Sequence, residues 1–516
     1  MKLVTAKQMQ GVDREAIHTY KIPSLELMEN AGRGTVEAIL DSYGDLQGRK
    51  IAVFVGPGNN GGDGLVIARL LAARMACPVV FLLVPAASLK GDSAVNLSRL
   101  HEFPVKIIEV NDNEDLLQIP TMLENSWAVV DAIFGTGLTR VVSEIFEAVI
   151  KIINRSICPV IAVDIPSGLN SDSGIPLGVC VQADITVTFG LAKIGQVIHP
   201  GRDCIGFLKI VDIGIPEKVL AEADIRLELL TKKVGYWLPP RTPLAHKGTY
   251  GHLFVLAGSP GRTGAACLCS ESALRCGAGL VTLGIPKTLN AVMEQKLTEV
   301  MTLPLPGGED ETLSSGGLEE IKQFASSVKG LAVGPGMGVN NEIGRIVRAL
   351  WVDVDRPMVW DADALTLLAR NPELRGKQSA EIVVTPHPGE MGRLIDKPVG
   401  WVQENRVEAA RSFAEQWGVI TVLKGARTLT AAPDGRLRIN PTGNPGMAAG
   451  GMGDVLTGMI GAFLVQGFEA YDAASLAVWL HGAAGDRAAQ NVGPIGFLAS
   501  EVMQSLPHLF REIMEE

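Results

Sequence analysis

The sequence predicts an α/β fold in both halves of the chain. Short apolar runs rich in Val, Ile and Leu alternate with longer stretches of helical spacing. Strands that are apolar on both faces and are separated by helices are typical of parallel sheets covered on each side. Gly, Asp, Asn and His concentrate directly after these strands, where open parallel sheets bind their ligands.

The predicted strands fall into two series. The first series comprises 50–55, 78–84, 127–135, 159–168 and 183–190. The second comprises 252–259, 280–286, 330–336, 357–365, 381–390 and 419–426. Between about 212 and 245 the alternation lapses in a stretch with prolines and mixed charges, which is typical of a connection between domains. We therefore predict two domains, 1–215 and 225–516.

Composition narrows the class of protein. The 516 residues are 47% apolar and carry a net charge of -10, which argues against nucleic acid or a membrane surface as the main partner. The seven cysteines include no C-x-x-C pair, so neither a disulfide framework nor a zinc site is indicated. The start of the chain is charged and no apolar run reaches membrane-spanning length, so we expect a soluble, cytoplasmic enzyme.

The segment GPGNNGGDG (56–64) lies between the predicted strand 50–55 and a predicted helix over 65–75. A glycine loop between a strand and a helix brings backbone N–H groups close to a phosphate. The dinucleotide motif G-x-G-x-x-G is only partly present, and alone it is a weak signal. A tight turn would not need Asn59, Asn60 and Asp63 together, so we predict a ligand loop.

Polar side chains follow two further strands of the first half. Asn60, Asp131 and Ser167 offer an amide oxygen, a carboxylate and a hydroxyl, which suit an alkali or alkaline-earth cation. Asp164 also ends a predicted strand and is a candidate general acid or base. Lys193 is a candidate phosphate ligand, with a solvated surface lysine as the alternative.

The loops GPGNNGGDG, DAIFGTGL and VDIPSGLNSDSG, followed by FGLAKIGQVIHPG, resemble the YjeF N-terminal family, the NAD(P)HX epimerases. The resemblance covers about 1–215 and implies a Rossmann-like three-layer sandwich that interconverts the R and S epimers of hydrated NADH or NADPH. It implies a potassium ion held by Asn60, Asp131 and Ser167, with Asp164 as acid/base. The residues it assigns to the hydrate are Asn59, Asn60, Gly61, Gly62, Asp63, Gly135, Thr136, Gly137, Leu138, Thr139, Arg140, Val141 and Asp164.

In the second half, the segment AAGGMGDVLTG (448–458) opens a predicted helix with Asp454 in its first turn. Backbone N–H groups of Gly451, Met452 and Gly453 would point to one spot and stabilise negative charge on a transferring phosphoryl group. Asp454 is a candidate to accept the proton of the attacking hydroxyl. No G-x-x-x-x-G-K-[ST] segment is present, so a Walker-type site is excluded.

Two other segments of the second half carry candidate site residues. His387 lies between two prolines, where the backbone is stiff, and this favours a site over a core position. The segment LKGARTLTAAPDG (423–435) predicts a strand, turn and strand that bring Lys424 to a nucleotide. Asp361 and Asp363 end another predicted strand.

The ordered set KGTYGHLFVLAGS, GPGMG, DADAL, TPHPGEMGRL, LKGART and GGMGDVLTG is similar to the YjeF C-terminal family, the ADP- or ATP-dependent NAD(P)HX dehydratases. It covers about 245–510 and implies a ribokinase-like α/β domain. By this resemblance Ala266, Gly338, His387 and Asp454 contact the hydrate, and Lys424, Gly425, Ala426, Arg427, Thr428 and Gly453 contact the nucleotide. Met452 departs from the family, in which serine or threonine is commoner, but the position contributes its backbone N–H.

Together the halves resemble the bifunctional NAD(P)H-hydrate repair enzymes. The resemblance implies that the first half equilibrates the epimers. The resemblance also implies that the second half phosphorylates the S hydrate with ADP and Mg²⁺ and then eliminates phosphate, giving NAD(P)H and AMP. Three points stay open: the donor is ADP or ATP, the second half is a dehydratase or a small-molecule kinase, and the first half is an epimerase or a non-catalytic binding module. A homo-oligomer is plausible for such a protein.

Overall fold

The computed structural model describes residues 1–515, and the chain forms two compact units. The first unit comprises Lys2–Ile225, and the second continues from Arg226 and includes Met1. Each unit contains parallel strands connected by helices, so the predicted α/β class is confirmed. The division falls within the stretch 212–245 in which the strand–helix alternation lapses.

The first unit alternates strands and helices along most of its length. Its strands are β1 (Lys2–Val4), β2 (Lys50–Val55), β3 (Cys77–Leu82), β4 (Lys106–Glu109), β5 (Ala128–Ala132), β6 (Val160–Val163), β7 (Ile185–Phe189), β8 (Ala192–Lys193) and β9 (Phe207–Val211). Its helices are α1 (Ala6–His18), α2 (Ser24–Tyr43), α3 (Asn59–Ala73), α4 (Gly91–Leu100), α5 (Asn113–Leu116), α6 (Ile119–Glu124), α7 (Glu144–Arg155) and α8 (Glu217–Glu222).

The main sheet of the first unit has seven parallel strands in the order β4-β3-β2-β5-β6-β7-β9. Successive side chains of β2 enter different apolar clusters, with Val53 and Val55 in one and Ala52 and Phe54 in the other. Since successive side chains of a strand point to opposite faces, the sheet has a core on each face and forms the middle layer of three.

The second unit is larger and richer in helices. Its strands are β10 (Leu227–Leu229), β11 (His252–Leu256), β12 (Leu280–Pro286), β13 (Met301–Leu305), β14 (Gly330–Val333), β15 (Met358–Trp360), β16 (Ile382–Val384), β17 (Ile420–Leu423), β18 (Leu429–Ala431) and β19 (Leu437–Ile439). Its helices are α9 (Thr263–Arg275), α10 (Asn290–Lys296), α11 (Leu318–Ser327), α12 (Asn341–Asp353), α13 (Asp363–Ala369), α14 (Pro388–Ile395), α15 (Val399–Glu404), α16 (Arg406–Trp417), α17 (Met452–Val465), α18 (Ala470–Asn491) and α19 (Ala499–Glu515).

The sheet of the second unit runs β13-β12-β11-β14-β15-β16-β17-β18-β19-β10. The strands from β13 to β17 are parallel, and β18 is antiparallel to both β17 and β19. The β17–turn–β18 unit is the strand, turn and strand predicted from LKGARTLTAAPDG. Within residues 1–515, none of the helices combines the length and the apolarity that a bilayer span requires.

One predicted boundary in the first unit is wrong. A helix was expected to follow the glycine-rich segment at residue 65, but α3 begins at Asn59, inside that segment. A glycine in a helix interior destabilises the helix by only about 1 kcal/mol relative to alanine, and the close packing of this segment outweighs that cost. Gly61 and Gly64 have no room for a side chain, because an added Cβ would lie 2.1 Å from the Gly56 carbonyl oxygen and 2.6 Å from the Ala132 Cβ, respectively.

Candidate active sites

The strand order of the first unit reverses between β2 and β5, which is where open α/β sheets form their ligand crevice. The loops that leave these two strands touch each other. The Gly56 N–H donates to the Ala132 carbonyl oxygen at 3.1 Å. A Cβ added at Gly56 would lie 1.9 Å from the Ile133 carbonyl oxygen. Glycine at position 56 therefore allows the two loops to build one site.

We expect Gly56→Ala to destabilise the first unit by about 1–3 kcal/mol, because the methyl group displaces the backbone of the neighbouring loop. A drop of several °C in the Tm of that unit, measured by scanning calorimetry, checks this. Gly58→Ala is the matched control, since an added Cβ there meets nothing within 4 Å. A Gly56→Ala chain that unfolds at the wild-type temperature would contradict the steric role.

A cavity of about 570 Å³ opens at this crevice, within the range of small-ligand pockets. Most of the residues predicted to bind the hydrate line it, namely Asn59, Asn60, Asp63, Gly135, Thr136, Gly137, Leu138, Thr139, Arg140 and Asp164. Gly61 and Gly62 lie buried in the first turns of α3 and do not line the cavity, and the Val141 side chain is exposed to solvent.

The three predicted cation ligands lie close to the cavity floor. The Asn60 side chain packs against Gly135, and its amide oxygen and nitrogen are buried without a partner among residues 1–515. Asp131 is fully buried, and the Ser167 hydroxyl donates to its Oδ1 at 2.6 Å. The Phe134 N–H donates to Ser167 Oγ at 2.8 Å, which joins Ser167 to the loop that carries Gly135.

These donors fit a cation. Burial raises the pKa of Asp131 to about 6, although hydrogen bonds from Ser167 oppose the rise. The buried Asn60 amide oxygen, which has no hydrogen bond among residues 1–515, is costly unless a ligand satisfies it. Only oxygen donors are present, which suits potassium and not zinc. No group of three or more His, Cys, Asp or Glu side chains in the described part of the chain is arranged to hold a metal.

Asp164 lies at the end of β6 in a left-handed backbone conformation, with φ at 61°. The Lys193 ammonium donates to Asp164 Oδ1 at 2.5 Å and to Thr188 Oγ1 at 2.8 Å. The Lys193 side chain is only 1% exposed, so the surface-lysine alternative is wrong. The Gln196 amide donates to the Asp164 carbonyl oxygen at 2.6 Å, which fixes the backbone. Asp164 is therefore held as a charged partner of a buried cation at the cavity wall.

Three more carboxyl groups line the same cavity, those of Asp13, Asp63 and Asp92. Asp63 belongs to α3, and Asp13 belongs to α1. Asp13 was not predicted as a site residue because it is distant in sequence from every glycine loop. One sequence feature could have identified Asp13, namely its position on α1 among the buried residues Met9, Val12 and Ala16. An acid at the edge of an apolar helix face is typical of a cavity wall as well as of a helix boundary.

In the second unit the strand order reverses between β11 and β14, and the Gly258 N–H donates to the Pro335 carbonyl oxygen across this point at 2.8 Å. The loops after β15, β16 and β17 lie further along the same edge. The Lys424 ammonium, at the end of β17, donates to Asp361 Oδ1 at 2.6 Å. Burial alone lowers the pKa of Lys424, but Asp361 and Glu390 raise it above the usual value. The lysine is therefore a fixed positive charge.

The first turn of α17 lies against this lysine. Gly451 has φ at 91° and begins the helix, and Asp454 lies in the first turn as predicted. A Cβ added at Gly453 would lie 3.3 Å from Lys424 Nζ, so the helix N-terminus and the ammonium group are neighbours. Thr457, one turn on, donates to Asp361 Oδ2 at 2.9 Å. Backbone N–H groups and a fixed cation together favour a phosphoryl group at this point.

Asp454 is the free carboxylate beside this anion site. Burial raises its pKa to about 6, and the nearby Asp361 carboxylate raises it further while Lys424 opposes the rise. Asp361 differs, because Lys424 and Thr457 bind its two oxygens and, although burial opposes them, its pKa is lowered. The two acids therefore differ in what they can do. Asp361 orients Lys424, whereas Asp454 can exchange a proton near neutral pH.

His387 caps α14 and is held by its neighbours. Its Nδ1 accepts from the Gly389 and Glu390 N–H groups at 3.0 and 3.3 Å, and Glu390 Oε2 accepts from the His387 N–H at 2.8 Å. Burial and the charges of Lys424 and Arg393 lower the pKa of His387. With Nδ1 accepting, the neutral ring carries its proton on Nε2. His387 is therefore placed as a hydrogen-bond donor and not as a base.

The other predicted residues of the second site lie on the loops and helices that follow the strands of the same sheet. The Gly338 N–H donates to Asp363 Oδ2 at 2.8 Å, and Ala266 is fully buried on α9 beside Gly258. The turn between β17 and β18 carries Gly425, Ala426, Arg427 and Thr428, and the Thr428 hydroxyl donates to the Gly425 carbonyl oxygen at 2.9 Å.

Arg406, which sequence reasoning missed, supports this turn. Its guanidinium donates to the carbonyl oxygens of Leu423 and Lys424 at 3.2 and 3.3 Å. It thereby fixes the backbone on both sides of the Lys424 amide. The structure brings Lys424, Gly453 and Asp454 to one point, while residues 425–428 continue away from it into the turn.

Two family models match the chain. The model described as YjeF-related protein N-terminus matches residues 24–195, and the model described as NAD(P)H-hydrate dehydratase matches residues 253–508. The bifunctional NAD(P)H-hydrate repair enzyme Nnr of Moorella thermoacetica is 42% identical over 521 residues, covering 100% of this chain and 98% of that protein. The Escherichia coli protein of the same name is 35% identical over 512 residues, covering 98% and 93%.

A solved structure also matches the chain in part. The ADP/ATP-dependent NAD(P)H-hydrate dehydratase of Bacillus subtilis, co-crystallised with ATP and Mg²⁺, is 31% identical with a TM-score of 0.48. The match covers 55% of this chain and 98% of the Bacillus chain.

Proposed function

Because this chain belongs to the family of bifunctional NAD(P)H-hydrate repair enzymes, we propose that it restores damaged, hydrated NADH and NADPH. The first unit interconverts the R and S hydrates, and the second dehydrates the S hydrate at the expense of ADP. The observation that carries the proposal is the position of Asp454, in the first turn of α17 beside the Lys424–Asp361 pair.

The second unit makes the hydroxyl a better leaving group. The hydroxyl oxygen of the hydrate attacks the β-phosphorus of ADP, which enters with Mg²⁺, and AMP leaves. Asp454 takes the hydroxyl proton, while Lys424 and the N–H groups of Gly451, Met452 and Gly453 face the transferring phosphoryl group. The carbon–oxygen bond then breaks, phosphate leaves with its electron pair, and the neighbouring ring carbon loses a proton to solvent water as the double bond forms. The products are NAD(P)H, AMP and phosphate.

The first unit needs a group that moves a proton at the hydrated ring carbon. The Asp164 carboxylate is available, because Lys193 holds its Oδ1 and no described residue donates to its Oδ2. The Asn59–Asp63 turn and the Gly135–Arg140 loop line the same cavity and present backbone N–H groups for the pyrophosphate. A potassium ion held by Asn60, Asp131 and Ser167 would add positive charge beside the pyrophosphate.

Potassium binding is tested without substrate. We expect the Tm of the first unit to rise when KCl replaces tetramethylammonium chloride at equal ionic strength, because the ion satisfies the buried Asn60 oxygen and Asp131. Asp131→Asn should abolish the rise. Asp41→Asn, which removes an exposed carboxylate of the same unit, is the matched control and should keep it. Equal Tm values in both salts would contradict a potassium site.

The function is tested by following nicotinamide absorbance after the protein is added to mixed NADHX epimers. Recovery of reduced cofactor from both epimers, dependent on ADP, is the expected result. Parallel samples with ATP and without nucleotide identify the phosphate donor. Recovery that stops at the S fraction would remove the epimerase proposal. A stable phosphorylated product without recovery would favour a small-molecule kinase.

A further inference from the structure

Four carboxyl groups line the cavity of the first unit, those of Asp13, Asp63, Asp92 and Asp164, and in the described part of the chain only Asp164 forms an ion pair. Asp164 is bound by the buried Lys193 ammonium at 2.5 Å. Asp13 and Asp63 receive no hydrogen bond from any side chain or N–H group among residues 1–515. The mechanism above uses Asp164 alone, so the roles of Asp13 and Asp63 in the same cavity are open.

The hydrogen bonds of Lys193 distinguish Asp164 from the other carboxyl groups of the cavity. The ammonium has three protons, and they are directed to Asp164 Oδ1 at 2.5 Å, Thr188 Oγ1 at 2.8 Å and the Phe189 carbonyl oxygen at 3.2 Å. A lysine buried in this way needs a negative partner. No proton of Lys193 is left for a hydrogen bond to another carboxyl group, so the ammonium acts on Asp13 and Asp63 only through its charge. Asp92 and Arg140 are the other charged residues of the cavity lining.

The environment keeps these two carboxyls protonated at higher pH than usual. Burial raises the pKa of Asp13 to about 6, with Asp164 adding to the rise and Lys193 opposing it. Burial, Asp164 and Asp13 raise the pKa of Asp63 well above its usual range. A carboxyl group whose pKa is raised towards neutrality is a typical general acid. Asp13 lines the same cavity as Asp164 and can both give and regain a proton near neutral pH.

We propose that Asp13 is a catalytic acid of the epimerase site, which donates a proton to the hydroxyl of the hydrate while Asp164 activates the incoming water. The inference rests on the proposed epimerase function. The hydroxyl-bearing carbon is bonded to the ring nitrogen. When Asp13 protonates the hydroxyl oxygen, the carbon–oxygen bond breaks, water leaves, and the nitrogen lone pair forms a carbon–nitrogen double bond.

The second step restores the hydrate with the opposite configuration. Asp164 takes a proton from a water molecule, and its oxygen attacks the planar carbon from the other face. The electron pair of the double bond returns to the nitrogen. One proton has passed from Asp13 to Asp164, and one water has left and one has entered. The reverse reaction uses the two residues in exchanged roles, which suits an enzyme that equilibrates two epimers.

The test follows R-to-S conversion of purified hydrate by chiral chromatography without nucleotide, so the second unit is idle. We expect Asp13→Asn to lower kcat at least 100-fold. Glu15→Gln, on the same helix and outside the cavity lining, is the matched control and should keep the wild-type rate. Dehydration of the S hydrate with ADP, and the Tm of the first unit, show that the variant is folded. An Asp13→Asn rate within threefold of wild type would overturn the proposal.

Two further measurements distinguish the acid from a structural residue. In H₂¹⁸O the wild type should incorporate ¹⁸O into the hydrate during epimerisation, and epimerisation without incorporation would overturn the bond-breaking step. The wild-type rate should fall as pH rises above about 6, because Asp13 loses its proton. Any residual rate of Asp13→Asn should not show this fall. If Asp63→Asn abolishes the rate while Asp13→Asn does not, the donor is Asp63 and the proposal is overturned. A wild type that does not interconvert the epimers removes the proposed function itself.

Discussion

Asp454→Asn is expected to abolish dehydration of the S hydrate, with a loss of at least 10³-fold in kcat. The amide cannot take the hydroxyl proton, and general-base contributions amount to 10²–10⁴-fold. The side chain keeps its size and place in the first turn of α17. The anion site of backbone N–H groups and Lys424 stays intact, so the KM for ADP should change little.

Two controls make this result specific to the base. R-to-S interconversion by the same sample should equal wild type, because Asp454 lies in the second unit. Asp353→Asn, which removes an exposed carboxylate paired with Lys322 in the same unit, should dehydrate at the wild-type rate. Asp454→Asn that keeps more than a tenth of the wild-type kcat would refute the assignment.

The pH dependence of dehydration tests the same residue independently. The folded-state pKa of Asp454 is raised to about 6, and the base form is the ionised carboxylate. The wild-type rate should therefore fall as pH drops through about 6 and should level off above it. Any residual rate of Asp454→Asn should lack this limb. A wild-type profile that is flat from pH 5 to 8 would contradict a carboxylate base with this pKa.

The strands that build the two sites could be predicted because they are buried on both faces. β2 and β12 were located to the residue. The starts of β6, β15 and β16 were located to within one residue, but these strands end five or six residues earlier than predicted, because residues of the loops and helices that follow them were counted as strand. Every position of β5 is buried, and the strand is apolar except for the site residue Asp131. Strands β4, β9 and β13 were missed, since they lie at the edges of their sheets and consist almost entirely of exposed and half-buried residues.

The charged networks could not be predicted from the sequence. Nothing in the local sequence distinguishes Lys193 from other lysines, and only the fold brings it to Asp164. Lys424 binds Asp361, which lies 63 residues away in the sequence. Such pairs depend on strand order, which local sequence does not encode. Asp13 could not be predicted as a site residue for the same reason. Its position in the same cavity as the glycine loops follows from the packing of α1 and not from any motif.

Asp164→Asn is expected to remove the epimerase activity and leave the dehydratase intact. With excess ADP, the variant should restore reduced cofactor from the S hydrate at the wild-type rate. The R hydrate should be consumed only at the uncatalysed rate of epimer exchange, so the rate of epimerisation should fall about 10²–10⁴-fold. Absorbance recovery from an epimer mixture should therefore show a fast phase equal to the S fraction and then a slow phase. A wild-type single phase would refute the role of Asp164.

A structural effect has to be separated from a chemical one, because Asp164 also neutralises the buried Lys193. Removing one partner of a buried ion pair costs about 3–5 kcal/mol, so Asp164→Asn alone should lower the Tm of the first unit. The double variant Asp164→Asn with Lys193→Met removes the unpaired ammonium and should regain most of that stability. If it regains stability and still fails to convert the R hydrate, Asp164 acts on the substrate. If epimerisation returns with stability, the carboxylate serves only to balance the charge of Lys193. Asp41→Asn, which breaks an exposed Asp–Lys pair of the same unit, should change neither quantity.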